Sequence, residues 1–123
     1  MAKRVFVSFD YDNDVRLRDF IVTQAKNPDS PFEICDWSMK EASKEPNWKD
    51  EARRRIKNCE IVIVMVGPKT YKAPGVLAEV KMANEESKKI VQIIGYKNGD
   101  YNRVEGAGVL YSWNWENLKK ILA

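Results

Sequence analysis

An uninterrupted apolar run near the middle of the chain constrains the fold most strongly. Residues 60–66 read EIVIVMV, so both alternating sets of side chains are apolar after the opening glutamate. A strand of this kind has no face that it can turn to water. Such strands lie in the middle of parallel sheets, where helices cover both faces. The run therefore predicts an α/β protein with its sheet between two helical layers.

Strand-like and helix-like segments alternate along the rest of the sequence. Strands are predicted over residues 4–9, 32–37, 89–96 and 109–113, and helices over 14–25, 47–58, 76–87 and 114–122. Asn13 or Asp14 is expected to cap the first helix, and Asn47 the second. This alternation is typical of right-handed βαβ units. It predicts a flavodoxin-like three-layer sandwich with a five-stranded parallel sheet of order 2-1-3-4-5.

Composition narrows the classes of function. The chain of 123 residues fits a single domain over residues 1–123, since no repeat or linker interrupts it. Its net charge of +3 falls far short of a nucleic-acid-binding signature, so no nucleic-acid partner is expected. Because histidine is absent, Ser-His and Cys-His catalysis are excluded and no metal site is expected. No signal peptide or spanning apolar run is present, which predicts a cytoplasmic protein without a membrane partner.

Two cysteines carry a prediction about redox state. Cys35 and Cys59 lie in or beside predicted buried strands. This placement favours reduced core thiols of a cytosolic protein over a disulfide.

The ligand crevice of such a sheet lies at the carboxyl ends of its strands, beside strands 1 and 3. The loop DYDND follows strand 1 there, and GPKTYKAPG follows strand 3. A phospho-receiver is disfavoured, because strand 3 ends in MVGP without an acceptor aspartate. Flavin mononucleotide is also disfavoured, because the acidic first loop would repel its phosphate. Neither a Walker loop nor a G-x-G-x-x-G motif is present.

A glutamate on the third helix is the strongest candidate for chemistry. Glu79 falls about 80° from the centre of that helix's apolar arc, one turn into the helix and close to the crevice. A carboxylate at such a border can be partly desolvated, which suits acid–base or electrostatic work. The alternative is a helix-surface glutamate that pairs with one of three lysines: Lys69, Lys72 or Lys81.

Several motifs together resemble a known family. VFVSFDYDND, the central IVIVMVG, then KTY and a glutamate eight residues after Tyr71 resemble the TIR and TIR-like family. The similarity is greatest to the small bacterial TIR-like domains of the Thoeris antiphage type. It spans nearly the whole chain, including the tail LYSWNWENL. The resemblance implies a flavodoxin-like fold, in agreement with the alternation of elements.

The resemblance also implies an activity. Enzymatic members of the family cleave NAD at the nicotinamide–ribose bond, and they either release ADP-ribose or cyclise it. Glu79 occupies the position of the family's catalytic glutamate, so the chain is expected to process NAD in prokaryotic antiphage or stress signalling. NAD would be the substrate, with no further cofactor. The implied partners are further copies of the chain and a downstream effector that senses a nucleotide signal.

Residues near the crevice are candidates for holding NAD. Aromatic side chains that could stack on adenine or nicotinamide are Phe9, Tyr11, Trp37 and Trp48. Carboxylates that could bond ribose hydroxyls are Asp10, Asp12 and Asp36. Residues of the loop after strand 3, where the lysines could meet the pyrophosphate, are Lys69, Tyr71 and Lys72. The structural alternatives are core packing for the aromatics, capping or loop ordering for the aspartates, and plain solvation for the lysines.

Two further hypotheses stay open. Ala73 and Gly75 stand where the family has Ser and Trp, which favours a non-enzymatic TIR-like interaction and signalling module. The polar, aromatic cluster after strand 1 favours the enzyme. A third hypothesis is a nucleoside deoxyribosyltransferase-like N-glycosidase, because that fold also places a glutamate near a ribose.

Overall fold

A computed structural model describes residues 3–10, 15–28, 30–37, 48–94, 101–112 and 115–121. Within these ranges the strands are β1 (Lys3–Ser8), β2 (Phe32–Trp37), β3 (Ile61–Val66), β4 (Lys89–Ile94) and β5 (Leu110–Ser112). The helices are α1 (Val15–Ala25), α2 (Trp48–Lys57), α3 (Pro74–Glu85) and α4 (Trp115–Ile121). The expected caps Asn13, Asp14 and Asn47 lie outside the described residues.

The strands form one parallel sheet in the order β2-β1-β3-β4-β5. This order confirms the predicted flavodoxin-like fold. β3 pairs with β1 on one side and with β4 on the other, and all its residues are buried. Its position explains the apolar run, because a central strand that is covered on both faces by helices exposes neither set of side chains.

Two apolar cores lie on opposite faces of the sheet. One contains Phe6 together with residues of α2 and α3, such as Ile56 and Val80. The other contains Val7 and Phe9 together with residues of α1 and α4. Side chains alternate between the faces along a strand, so Ser8 shares the face of Phe6. The end of β1 therefore presents a hydroxyl to the layer of α2 and α3.

The structure pairs Cys35 and Cys59 as a disulfide, with their Cα atoms 5.8 Å apart. The prediction of two separate reduced thiols is therefore wrong. Cys35 belongs to β2, and Cys59 lies in the turn between α2 and β3. Because α2 packs against β2, this turn comes close to the strand. The contact joins residues 24 positions apart, and strand or helix periodicity does not reveal it.

Ion pairs attach α3 to α2 at the end of α3 that is remote from its first turn. The Arg53 guanidinium of α2 donates to Glu85 at 2.8 Å and to Glu86 at 3.1 Å. These hydrogen bonds hold the pKa of the Glu85 carboxyl below its usual value. The contact helps to set how α3 lies across the sheet.

None of the helices in the described ranges is long and apolar enough to cross a membrane. The longest of them, α3, has 12 residues, whereas a span takes about 20 apolar residues.

Candidate functional site

The turn between β3 and α3 brings the third helix to the carboxyl edge of the sheet. The buried Thr70 hydroxyl oxygen accepts a hydrogen bond from the Gly67 N–H at 2.7 Å. A short 3₁₀ turn, Thr70–Lys72, follows, and Pro74 then takes the first position of α3. Proline is favoured there because a first-turn N–H has no partner within the helix. Glu79 consequently lies in the second turn of α3, against the sheet.

A buried hydrogen bond joins α3 to the end of β1. The Ser8 Oγ donates to the Glu79 Oε1 at 2.8 Å. Only 1% of Glu79 and 0% of Ser8 is exposed. The alternative of a glutamate on the helix surface is therefore wrong. Because α3 packs against both β1 and β3, the edge of its apolar arc is covered as well as the centre.

Two neighbouring candidates at the end of β2 contact arginines of different helices. The Asp36 Oδ1 pairs with the Arg55 guanidinium of α2 at 3.1 Å and accepts the Trp37 N–H at 2.9 Å. The Trp37 ring instead lies under the Arg18 guanidinium of α1, with its centroid 5.8 Å from the guanidinium carbon. Trp37 is 37% exposed, so it is not a core residue and its ring remains accessible at the carboxyl edge.

The ion pair of Asp36 is part of a larger set on α2. Arg55 also binds Glu51 at 3.1 Å, and Arg54 binds the same carboxylate. Hydrogen bonds from these two arginines lower the pKa of Glu51 to about 2, and the bond from Arg54 has the larger effect. Asp36 therefore already has a structural partner, which favours the loop-ordering interpretation of this residue.

The two candidates that follow β1 have different environments. Phe9 is 2% exposed and packs in the core beside α1. Its ring has hardly any free area on which a base could stack, so core packing is the interpretation that the structure supports. Asp10 is also buried, and it follows Ser8, the last residue of β1, by two positions. This carboxylate thus lies close to the end of β1.

The candidates after β3 form an exposed turn. Lys69 and Lys72 are exposed, and Tyr71 is 37% exposed. The Lys72 ammonium lies 5.8 Å from the centroid of the Tyr71 ring, within the range of a weak cation–π contact. The turn therefore places positive charge and an aromatic face immediately before α3.

Three of the sequence candidates are not placed. Tyr11 and Asp12 lie outside the described residues, and so does the side chain of Trp48, the first residue of α2. Among the residues that are described, no group of three or more His, Cys, Asp or Glu could hold a metal ion.

Sequence reasoning did not select Ser8 or Thr70. A signal for Ser8 exists in hindsight, since it is the single polar residue in the run VFVSF over residues 5–9. A hydroxyl in a buried strand needs a hydrogen-bond partner, so its presence indicates an acceptor close to the end of this strand. Thr70 has no comparable signal, because a threonine in a loop is ordinary.

Comparison with known protein families shows which family the chain belongs to. A model of the TIR-like domain of the Thoeris protein ThsB matches residues 6–99, more than half of the 123-residue chain. This chain belongs to that family. The match begins within β1 and extends past β4, so it includes both Ser8 and Glu79 of this TIR-like domain. β5 and α4 lie beyond it.

Other comparisons add little. The curated proteins contain no match to this TIR-like domain. Among solved structures, it is similar to a 3-dehydroquinate dehydratase-like protein from Bifidobacterium longum, with a TM-score of 0.49 and 14% identity. That alignment covers 99% of the TIR-like domain and 93% of the other chain. At this level of identity the similarity assigns no activity to the TIR-like domain.

Proposed function

We propose that this TIR-like domain processes NAD, as a glycohydrolase or an ADP-ribose cyclase, in prokaryotic antiphage or stress signalling. The observation that carries the proposal is the Glu79 carboxylate, buried at the carboxyl edge of the sheet and hydrogen-bonded by Ser8. Ligands of doubly wound sheets bind at this edge. Membership of the ThsB TIR-like family supports the same assignment.

The chemistry needs one carboxylate and no metal. Loss of nicotinamide from NAD develops positive charge on the ribose, as in other glycosidic cleavages. A carboxylate in a water-poor environment stabilises that charge more strongly than one in bulk water. In the proposal Glu79 has this role, NAD is the substrate and no other cofactor takes part. Attack by water would give ADP-ribose, and attack within the molecule would give a cyclic product.

Several groups around the edge would hold the rest of NAD, and all of them except Asp10 are exposed. Trp37 and Tyr71 each offer an accessible ring on which a base could stack. Lys69 and Lys72 would meet the pyrophosphate charge. Asp10 would bond a ribose hydroxyl near Glu79.

The burial of Glu79 sets a condition on the mechanism. With 1% of its surface exposed, the carboxylate cannot touch a ribose unless neighbouring groups move. The proposal therefore includes an opening step, driven by NAD or by contact between copies of the chain. If contact drives it, the specific activity will rise with protein concentration.

Glu79→Gln tests the proposal, because glutamine keeps the size of the side chain and removes its charge. We expect the wild type to consume NAD and the variant to lose at least about a hundredfold of that rate, as when charge stabilisation is removed. The measurement is NAD loss over a series of protein concentrations, with products separated by chromatography.

Glu85→Gln is the matched control, since it makes the same change on the same helix at an exposed ion pair with Arg53. This control should keep the wild-type rate. Equal turnover by the wild type and Glu79→Gln would leave an enzyme but remove Glu79 as its catalytic residue. No turnover by the wild type at any concentration would overturn the enzymatic function.

A non-enzymatic interaction module is the second candidate, and an exposed apolar residue on α3 favours it. Leu77 on α3 is 40% exposed, close in sequence to the exposed Tyr71. In this case Leu77→Ser should weaken self-association in sedimentation measurements. Val109→Ser, which alters an exposed apolar residue in the loop before β5, should not.

A further inference from the structure

The hydrogen bond between Ser8 and Glu79 lies where polar groups are unfavourable. Phe6, on the same face of β1, belongs to the apolar core beneath α2 and α3. Val76 and Val80, on either side of Glu79 in α3, are buried in that same core. Burial of a hydroxyl and a carboxylate opposes folding unless both are well bonded. Replacement of buried charged groups by apolar residues of similar size is often neutral or stabilising in proteins. Stability alone therefore does not account for this pair.

Geometry indicates what the pair can do. A serine hydroxyl carries one proton, and Ser8 directs it to the Oε1 of Glu79 at 2.8 Å. The hydrogen bond restricts rotation about the last bonds of the glutamate side chain, which would otherwise be broad. Because the carboxylate group is planar, fixing the position of Oε1 also fixes the direction of Oε2.

The position of Ser8 makes it a rigid support. It is the last residue of β1, and its backbone pairs with Val64 of the central strand β3. Groups carried by the strands of a scaffold hold a site more accurately than groups carried by loops. The serine thus anchors Glu79 to the centre of the sheet, while α3 supplies the carboxylate.

We infer that Ser8 is a positioning residue, which orients the Glu79 carboxylate toward the ribose carbon where charge develops. This inference rests on the proposed function and extends it to a residue that need not touch NAD. A group that acts through Glu79 contributes mainly in the transition state. Its loss should therefore lower kcat and leave the KM for NAD nearly unchanged.

Threonine and valine at position 8 provide the sharpest test. The two side chains are nearly equal in size and differ in the hydroxyl, so any effect of the added methyl group is common to both. We expect Ser8→Thr to keep kcat within about threefold of the wild type, because one charge-assisted hydrogen bond is retained. Ser8→Val should lose about tenfold to a hundredfold in kcat, with KM within about twofold.

Ser30→Ala serves as the control for loss of a hydroxyl elsewhere. The Ser30 Oγ donates to the Phe32 carbonyl at 2.7 Å, at the start of β2 and away from the carboxyl edge. Its kcat should equal that of the wild type. Thermal unfolding of all variants shows whether a loss of rate reflects a loss of folded protein.

A spectroscopic readout separates orientation from general damage. In protein labelled with ¹³C at glutamate carboxyl carbons, the resonance of Glu79 is the one that disappears in Glu79→Gln. It should move in Ser8→Val and stay close to its wild-type position in Ser8→Thr.

The outcomes distinguish this inference from the proposed function. Equal kcat for Ser8→Val and Ser8→Thr in an active protein would overturn the positioning role and leave the NAD-processing function intact. A rise in KM alone would also overturn it, since that would indicate a role in binding. An inert wild type would overturn the proposed function, and with it any catalytic role for Ser8.

Discussion

Replacing Gly108 by alanine separates two reasons for which a loop can require glycine. Gly108 has a φ of +84°, and a Cβ at this position would lie 2.9 Å from the carbonyl oxygen of Ile90. Gly106 has a similar φ of +80°, but its Cβ would have no neighbour closer than 3.7 Å. Gly75 lies in the first turn of α3, where a Cβ would meet nothing within 4 Å. The three glycines therefore form a graded series.

The expected changes in the free energy of unfolding follow from these geometries. Alanine in the left-handed region costs about 1–2 kcal/mol, and about 0.4–1 kcal/mol of this is offset because the unfolded chain loses freedom. Gly106→Ala should therefore destabilise by about 1 kcal/mol. Gly108→Ala adds a backbone clash, for which overpacking costs about 1–3 kcal/mol, so its total should be about 2–4 kcal/mol. Gly75→Ala should stabilise by about 0.5–1 kcal/mol, since alanine is the better helix former.

Urea unfolding followed by tryptophan fluorescence measures all three variants, since the chain has four tryptophans. The dependence of free energy on urea should keep its slope, which shows that the variants expose the same surface on unfolding. Equal destabilisation by Gly106→Ala and Gly108→Ala would refute the reasoning. It would mean that the approach of residue 108 to Ile90 is looser than the structure has it.

Other consequences concern the disulfide and the ion pairs of α2. Cys35→Ser should lower the free energy of unfolding by about 3.4 kcal/mol, from the loop-closure entropy of a 24-residue separation. A reductant should do the same to the wild type, and an unchanged urea midpoint with reductant would contradict the pairing with Cys59. Because the pKa of Glu51 is lowered from 4.5 to about 2, its ion pairs stabilise the folded chain above about pH 4.5, and this stabilisation is lost as the pH falls through about 2. Glu51→Gln should therefore be less stable than the wild type at pH 7, and this difference in the free energy of unfolding should shrink as the pH falls from about 4.5 toward 2 in urea titrations. A difference that stays constant with pH would contradict the assignment.

The partial success of the site prediction has a physical explanation. Helical spacing placed Glu79 at the border of an apolar arc, but spacing does not show how wide a surface the sheet covers. In the structure α3 packs over β1 as well as β3, so the covered surface reaches past that border. The depth of burial of Glu79 is therefore a property of the packed layers.

The candidates at the end of β2 show a second limit of the sequence. Asp36 and Trp37 are adjacent, and strand alternation predicts that they point to opposite faces. It does not predict that Arg55 of α2 and Arg18 of α1 would meet them. Arg55 follows Asp36 by 19 positions, and Arg18 precedes Trp37 by 19 positions. Only the packing of both helices on the sheet therefore brings the two arginines to the same strand end.

The sequence by itself determined the alternation of elements and the central place of the run IVIVMV in the sheet. These features follow from burial averaged over a whole segment, which the spacing of apolar residues records directly. Only the tertiary structure decided the contact between Ser8 and Glu79 and the pairing of Cys35 with Cys59. Each of these contacts joins two single side chains that are far apart in sequence. Their meeting depends on the positions of α2 and α3 on the sheet, and these positions result from the packing of many side chains together.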